Sequence, residues 1–302
     1  MKTRLTLIAA ACASLLLAAA PPSAAQGGGF ILFAVADEGG GPTIEPIALV
    51  SGGKYVFPES AGGADEELQK FSAEYFREGR KYRVVSGGGD AGTLSVKRSH
   101  VADECFRVGA DVELQTPVKV GRVVWALATD SETLARGKGE RRAPTEAERA
   151  AAAKLAESVM RARRVPAAAL KTLGTINLTA TDLDADGRAE LVGTFVARTA
   201  QRARYVLFLL AEPRPDGTFK AGVAEYQMIK ASDLPDPSVI SEVGGSGFLA
   251  EIFVDQADLD GDRVGEVVST SGSFEGQHYT VYKRAAGRWR KAYEGSNYRC
   301  AY

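Results

Sequence analysis

Acidic residues cluster twice in this chain, in the same pattern. The segments TDLDADGRAELV, residues 181–192, and ADLDGDRVGEVV, residues 257–268, carry acids at loop positions 1, 3, 5 and 9. These are Asp182, Asp184, Asp186 and Glu190 in the first loop, then Asp258, Asp260, Asp262 and Glu266 in the second. The first aspartates are 258 − 182 = 76 residues apart. Alternate side chains on a tightly curled loop converge on one point, and the backbone carbonyl at position 7, Arg188 or Val264, adds an oxygen. That donor set suits calcium, a hard ion that takes roughly six to eight oxygens. Carboxylates packed this closely repel one another without a cation. Magnesium fits less well because it keeps its waters, and zinc prefers His or Cys.

An EF-hand needs a bidentate Glu at position 12 and a following helix. Position 12 is Gly193 or Ser269, and strand-like residues follow both loops. The pattern Asp-x-Asp-x-Asp-Gly-x-x-acid leading into an apolar strand instead resembles the calcium loop of FG-GAP and VCBS-type repeats. Such repeats build the β-propellers of integrin α chains and occur in many exported bacterial proteins. The resemblance covers at most residues 166–302. It implies calcium held by Asp182, Asp184, Asp186, the Arg188 carbonyl and Glu190, and by Asp258, Asp260, Asp262, the Val264 carbonyl and Glu266. It also implies four-stranded, blade-like units. Two repeats alone cannot close a propeller. The loops depart from the family pattern at position 9, where Glu replaces the more usual Asp. They differ at position 6, which is Gly187 in one and Arg263 in the other. A left-handed backbone at Arg263 would cost roughly 1 kcal/mol.

Catalytic motifs are scarce. Neither His100 nor His278 lies in a His-Glu-x-x-His motif, and Gly244-Gly245-Ser246-Gly247 runs into Phe248 without forming a nucleophile elbow. Gly87-Gly88-Gly89 precedes no helix and no Lys-Ser/Thr, so it is not a phosphate loop. His100, Glu104 and Cys105 are close in sequence, but a cysteine held in a bridge or a core explains that grouping better than a thiol site.

The elements that must position the loops are mainly strands, giving a mainly β fold with a few helices. Short runs rich in β-branched and aromatic residues recur over 30–35, 44–50, 82–85, 93–97, 106–114 and 122–128. Among them Leu68, Phe71, Tyr75 and Phe76 fall at helical spacing, closed by Gly79. RGKGERRA, residues 136–143, reads as an exposed linker open to proteolysis. Thr145 and Glu148 then form a capping-box pattern that starts a helix running to about Arg164, stopped by Pro166. Strand patterns return over 175–180, 190–197, 205–210, 219–229, 249–255, 266–270 and 278–283, with Pro215-Asp216-Gly217 as a turn. The expected organisation is an N-terminal β-rich domain (26–142), a linking helix (143–165) and a β domain with both acidic loops (166–302).

Residues 1–25 have a basic start at Lys2 and Arg4, an apolar stretch and small residues before Gln26, the pattern of a cleaved secretory signal peptide. An exported protein, periplasmic or extracellular, is therefore expected, with no later membrane span. Of its 302 residues 45% are hydrophobic and 25% charged, which excludes a disordered or collagen-like chain. The net charge of −1 offers no basic field for nucleic acid, and Arg161, Arg163 and Arg164 suit the end of a helix dipole. After cleavage, Cys105 and Cys300 remain; they either pair or stay as separate buried thiols. The expectation is a calcium-binding protein with one or two structural Ca2+ ions and a binding or scaffolding role toward a protein or glycan ligand. A calcium-dependent hydrolase acting on an envelope polymer is the alternative.

Overall fold

The computed structural model describes residues 29–58, 65–101, 103, 108–233, 250–273 and 276–299. The proposed signal segment and both Cys105 and Cys300 lie outside the described residues. The chain is mainly β, as the sequence predicts, with three α-helices among the described residues.

The N-terminal strands are β1 (Phe30–Asp37), β2 (Pro42–Ser51), β3 (Lys54–Val56), β4 (Lys81–Ser86), β5 (Gly89–Ser99), β6 (Ala110–Gln115) and β7 (Ala126–Thr129). They form one antiparallel sheet in the order β1-β7-β4-β5-β6-β2-β3, and β1 also pairs with β2, closing the sheet into a barrel with β3 on its rim. Closure leaves no open edge among the barrel strands. Alternation along β1 sets the two faces. Ile31, Phe33 and Val35 join Tyr82, Val84, Leu94 and Val96 inside the barrel. Helix α1 (Asp65–Tyr75) contributes Leu68 and Phe71 to that core, and Phe33 meets the Tyr82 ring edge-on at 4.9 Å.

The other face of β1, Leu32, Ala34 and Ala36, is buried too. It packs on Ile252, Val254, Val268, Tyr279 and Val281 of a second sheet, which explains why β1 reads as a continuous apolar run. That sheet is a meander of β12 (Ile252–Ala257), β13 (Glu266–Gly272), β14 (Gly276–Ala285) and β15 (Arg288–Tyr298). Its opposite face presents Phe253, Val267 and Tyr282 to a third sheet, the meander β8 (Gly174–Thr181), β9 (Glu190–Arg198), β10 (Arg204–Pro213) and β11 (Phe219–Ile229). Phe208 stacks on Tyr282 at 5.7 Å across this contact. The far face of the third sheet is covered by Ala152, Ala156 and Met160 of α2 (Glu146–Ala162). A short α3 (Ala167–Leu170) follows. The layers therefore run barrel, sheet, sheet, helix.

Helix α2 starts as the sequence predicts: the Thr145 hydroxyl accepts from Glu148 N–H, and the Glu148 carboxylate accepts from Thr145 N–H at 2.7 Å. Most of 136–143 is exposed as the sequence predicts: Arg136, Gly137, Lys138, Glu140, Arg142 and Ala143 all face solvent, and Arg141 is the residue that departs from the pattern. Arg141 is half-buried, and its Nη1 donates to Trp125 O, Val254 O and the fully buried Asp255 Oδ2, the last at 2.9 Å. Its guanidinium also lies 5.0 Å from the Phe253 ring centre. Composition suggested solvent here because the burial partner, Asp255, is more than a hundred residues away in the chain.

Candidate metal centre

Both acidic loops connect the first and second strands of a four-stranded meander, β8–β9 and β12–β13. They share three amide-to-carboxylate hydrogen bonds. The position-9 carboxylate turns back to the position-2 amide: Leu183 N–H donates to Glu190 Oε2 at 3.0 Å, and Leu259 N–H to Glu266 Oε2 at 2.7 Å. The position-6 amide donates to the position-1 aspartate: Gly187 to Asp182 Oδ2 at 2.8 Å, Arg263 to Asp258 Oδ2 at 3.0 Å. The position-7 amide donates to position 5: Arg188 to Asp186 Oδ1 at 2.8 Å, Val264 to Asp262 Oδ1 at 2.9 Å.

The backbone repeats as well. Positions 4 and 6 have positive φ in both loops: Ala185 (56°) and Gly187 (82°), Gly261 (82°) and Arg263 (71°). Each loop thus spends its glycine on one of two left-handed positions and strains a non-glycine residue at the other. The expected penalty at Arg263 has a counterpart at Ala185.

Side-chain convergence differs between the loops. In the first, oxygens of Asp182, Asp184 and Glu190 lie within 4.8 Å of one another; in the second, those of Asp258, Asp260 and Asp262 do. Either cluster has the donor chemistry to hold a metal ion. Asp186 stands outside the first set because Arg188 Nε and Nη2 take its Oδ2 at 3.0 and 2.5 Å. Glu190 and Glu266 are buried, and burial pushes their carboxyls up, to about 7 and about 8. Asp184 and Asp182 in the first loop, and Asp262 and Asp258 in the second, raise them further. A divalent metal ion coordinated by either carboxylate would oppose this shift.

Two residues of the site carried no signal in the sequence. Lys283 and Arg284 immediately precede Ala285, the last residue of β14, and successive side chains on a strand point to opposite faces. Arg284 Nη1 donates to Asp184 Oδ2 at 2.8 Å, and its Nη2 lies 3.6 Å from Glu212 Oε1. The Lys283 ammonium pairs with Asp260 and lies 3.3 Å from Asp262 Oδ2 and 3.9 Å from Glu266 Oε1. The loops touch each other through Gly265 N–H, which donates to Leu183 O at 2.6 Å. The barrel reaches the second loop at the β2–β3 turn, where a Cβ on Gly53 would stand 3.1 Å from Asp260 Cβ. The buried Tyr55 hydroxyl lacks a hydrogen-bond partner, and burial together with Glu266, Asp262 and Asp258 raises its ionisation well above that of an ordinary phenol.

The histidines sit apart from these loops. His100 is buried with its two ring nitrogens 2.5 Å from Asp103 Oδ2 and 2.8 Å from Asp111 Oδ1, whereas His278 is exposed. Among the described residues no helix is long and apolar enough to cross a membrane. Comparison with models of protein families, with curated proteins and with solved structures finds no match.

Proposed function

We propose that this chain is an exported calcium-binding protein with a binding or scaffolding role, in which a structural calcium ion closes the 182–190 loop. Two observations carry the reading: carboxylate oxygens of Asp182, Asp184 and Glu190 converge, and the same Asp184 has a buried Oδ1 with no hydrogen-bond partner. An orphaned buried carboxylate oxygen beside two further carboxylates is costly unless a cation meets it. An all-oxygen donor set of this charge favours calcium over magnesium or zinc. Asp182, Asp184 and Glu190 would hold the ion, with the Arg188 carbonyl as the further donor that the loop resemblance implies. Two four-stranded antiparallel units, each with its acidic loop after the first strand, are the arrangement that the resemblance to FG-GAP and VCBS repeats implies. The role is then mechanical: the ion ties the β8–β9 turn to the strands on either side.

The test is thermal melting across a calcium titration. Ligand that binds only the folded state stabilises it by about 2.7 kcal/mol at a hundredfold excess over Kd. Asp184→Asn should remove the calcium-dependent shift while the variant keeps its β-rich circular dichroism. A wild-type melt that is indifferent to calcium and to chelator would sink the reading.

A further inference from the structure

We propose that Lys283 is the resident cation of the 258–266 loop, so that the chain takes one calcium ion, at the first loop only. The inference rests on the calcium reading of the first loop and adds that the second copy is closed from within. Both loops share positive φ at positions 4 and 6 and three amide-to-carboxylate bonds, and they differ sharply in which cations neutralise the acids. In the second loop the Lys283 ammonium pairs with Asp260 and approaches Asp262 and Glu266, at 3.3 and 3.9 Å. It is a compact charge with three donors and no acceptor, and it enters where oxygens of neighbouring aspartates converge.

In the first loop the neighbouring cation acts differently. Arg284 reaches only Asp184 Oδ2 and is shared with Glu212, and Asp184 Oδ1 is left without a partner. Among the described residues no Lys or Arg nitrogen pairs with Asp182 or Glu190. Arg188 is spent on Asp186, at the outer side of the loop. One loop therefore has its central charge supplied by the fold, and the other still needs it.

Lys283 can be held there because of the hairpin that carries it. β14 and β15 pair Lys283 with Arg290, Arg284 with Trp289 and Ala285 with Arg288, around Ala286 and Gly287 at φ 50° and 74°. Two successive positive φ values make the tight turn that matches strand twist. The lysine stem thus leaves a rigid strand, and its side chain is only 20% exposed. Little freedom remains to be lost when the ammonium enters the loop.

Calcium stoichiometry by isothermal titration and melting in chelator decide this together, on the wild type and on Lys283→Met. The expected result is one calcium per wild-type chain and two per Lys283→Met chain. The variant in chelator should melt roughly 5 °C below wild type, with calcium restoring it. Two ions on the wild type, one of them lost in Asp260→Asn, would overturn the proposal. So would a Lys283→Met melt in chelator that equals wild type. If neither protein binds calcium, the calcium reading of the first loop falls, and the melt in chelator alone decides for or against Lys283. Should Lys283→Met fail to fold in either condition, Lys283→Met with Asp260→Asn replaces it: recovery of folding supports the lysine as counter-ion, and no recovery overturns it.

Discussion

Arg141→Met is expected to be among the costliest single changes outside the cores. The arginine joins two strands that no local sequence connects: its Nη1 donates to Trp125 O beside β7, and to Val254 O and Asp255 Oδ2 of β12. Asp255 has no solvent exposure, and burial pushes its carboxyl up while Arg141 pulls it down. Removing one partner of a buried pair costs about 3–5 kcal/mol, because the other charge is left uncompensated. Here the lower end applies. Asp255 Oδ1 keeps its bonds from Gly87 N–H at 2.8 Å and Gln256 N–H at 2.9 Å. About 3 kcal/mol in a domain of this size lowers the melting temperature by roughly 6–12 °C. The loss should depend on pH with a defined sign. A folded carboxyl that titrates above its unfolded value holds its proton more tightly when folded, so the variant is closest to wild type in acid. It falls behind as pH rises and Asp255 must ionise without a partner. Asp255→Asn in the Arg141→Met background removes the stranded charge while Oδ1 still accepts from both amides. The double variant should recover at least about 1.5 kcal/mol of the loss in a double-mutant cycle. Chemical denaturation of the four proteins at pH 5 and pH 8 measures all of this. A single variant within about 0.5 kcal/mol of wild type at pH 8, or strictly additive changes, would refute the view that this ion pair locks the barrel to the second sheet.

Thr145→Ala should cost about 1 kcal/mol by denaturant melting, since it removes the hydroxyl that accepts from Glu148 N–H. Arg142 and the Thr145 amide hold the Glu148 carboxyl down, at about 2, so this contribution is intact above its unfolded value of 4.5 and is lost as pH falls toward 2; Glu148→Gln should flatten the acid limb of the stability profile. Ala185→Gly and Arg263→Gly each relieve a left-handed backbone and should stabilise by roughly 0.5–1 kcal/mol after the entropic cost of the added glycine, whereas Gly187→Ala should do the reverse. Phe253→Ala, at a fully buried ring between the second and third sheets, should cost about 3–5 kcal/mol, and a smaller loss would mean that the sheets do not depend on that contact.

Much of the fold was legible because the decisive patterns are local. β11 runs Phe219–Ile229 as its alternation predicts, and the capping box fixes the start of α2. β15 was not legible. RWRKAYEGSNY is mostly exposed, so no apolar period marks it, and only pairing with β14 makes it a strand. β3 is too short to carry a pattern, and its place on the rim follows from the turn at Gly52-Gly53. In the acidic loops the sequence identified the carboxylates and even the strained position at Arg263, because spacing within twelve residues determines those. It had no means of finding Lys283, Arg284 or the partner of Arg141. Arg284 reaches Asp184 across the contact between the meanders, Lys283 reaches its loop within its own meander, and Arg141 reaches Asp255 from the linker, each at a separation in sequence set by the fold and by no motif.

The position of the loops explains why charge there has structural reach. Sheet contacts between the meanders are apolar and directionless: Phe208, Val192 and Leu210 face Phe253, Val267 and Tyr282, and area burial alone would tolerate a shift of one sheet over the other. The polar bonds at the loop end do not tolerate it. Gly265 N–H on Leu183 O, Arg284 on Asp184 and Gln256 Nε2 on Thr181 Oγ1 at 3.3 Å each join the two meanders at one register. The β2–β3 turn adds the barrel through Gly53 against Asp260. A cation in the first loop would stiffen the carboxylate that Arg284 holds, and Lys283 already does so in the second. On the proposed reading, neutralising these acids would firm up the loop ends at which the three layers meet, while the hydrophobic contacts supply the adhesion.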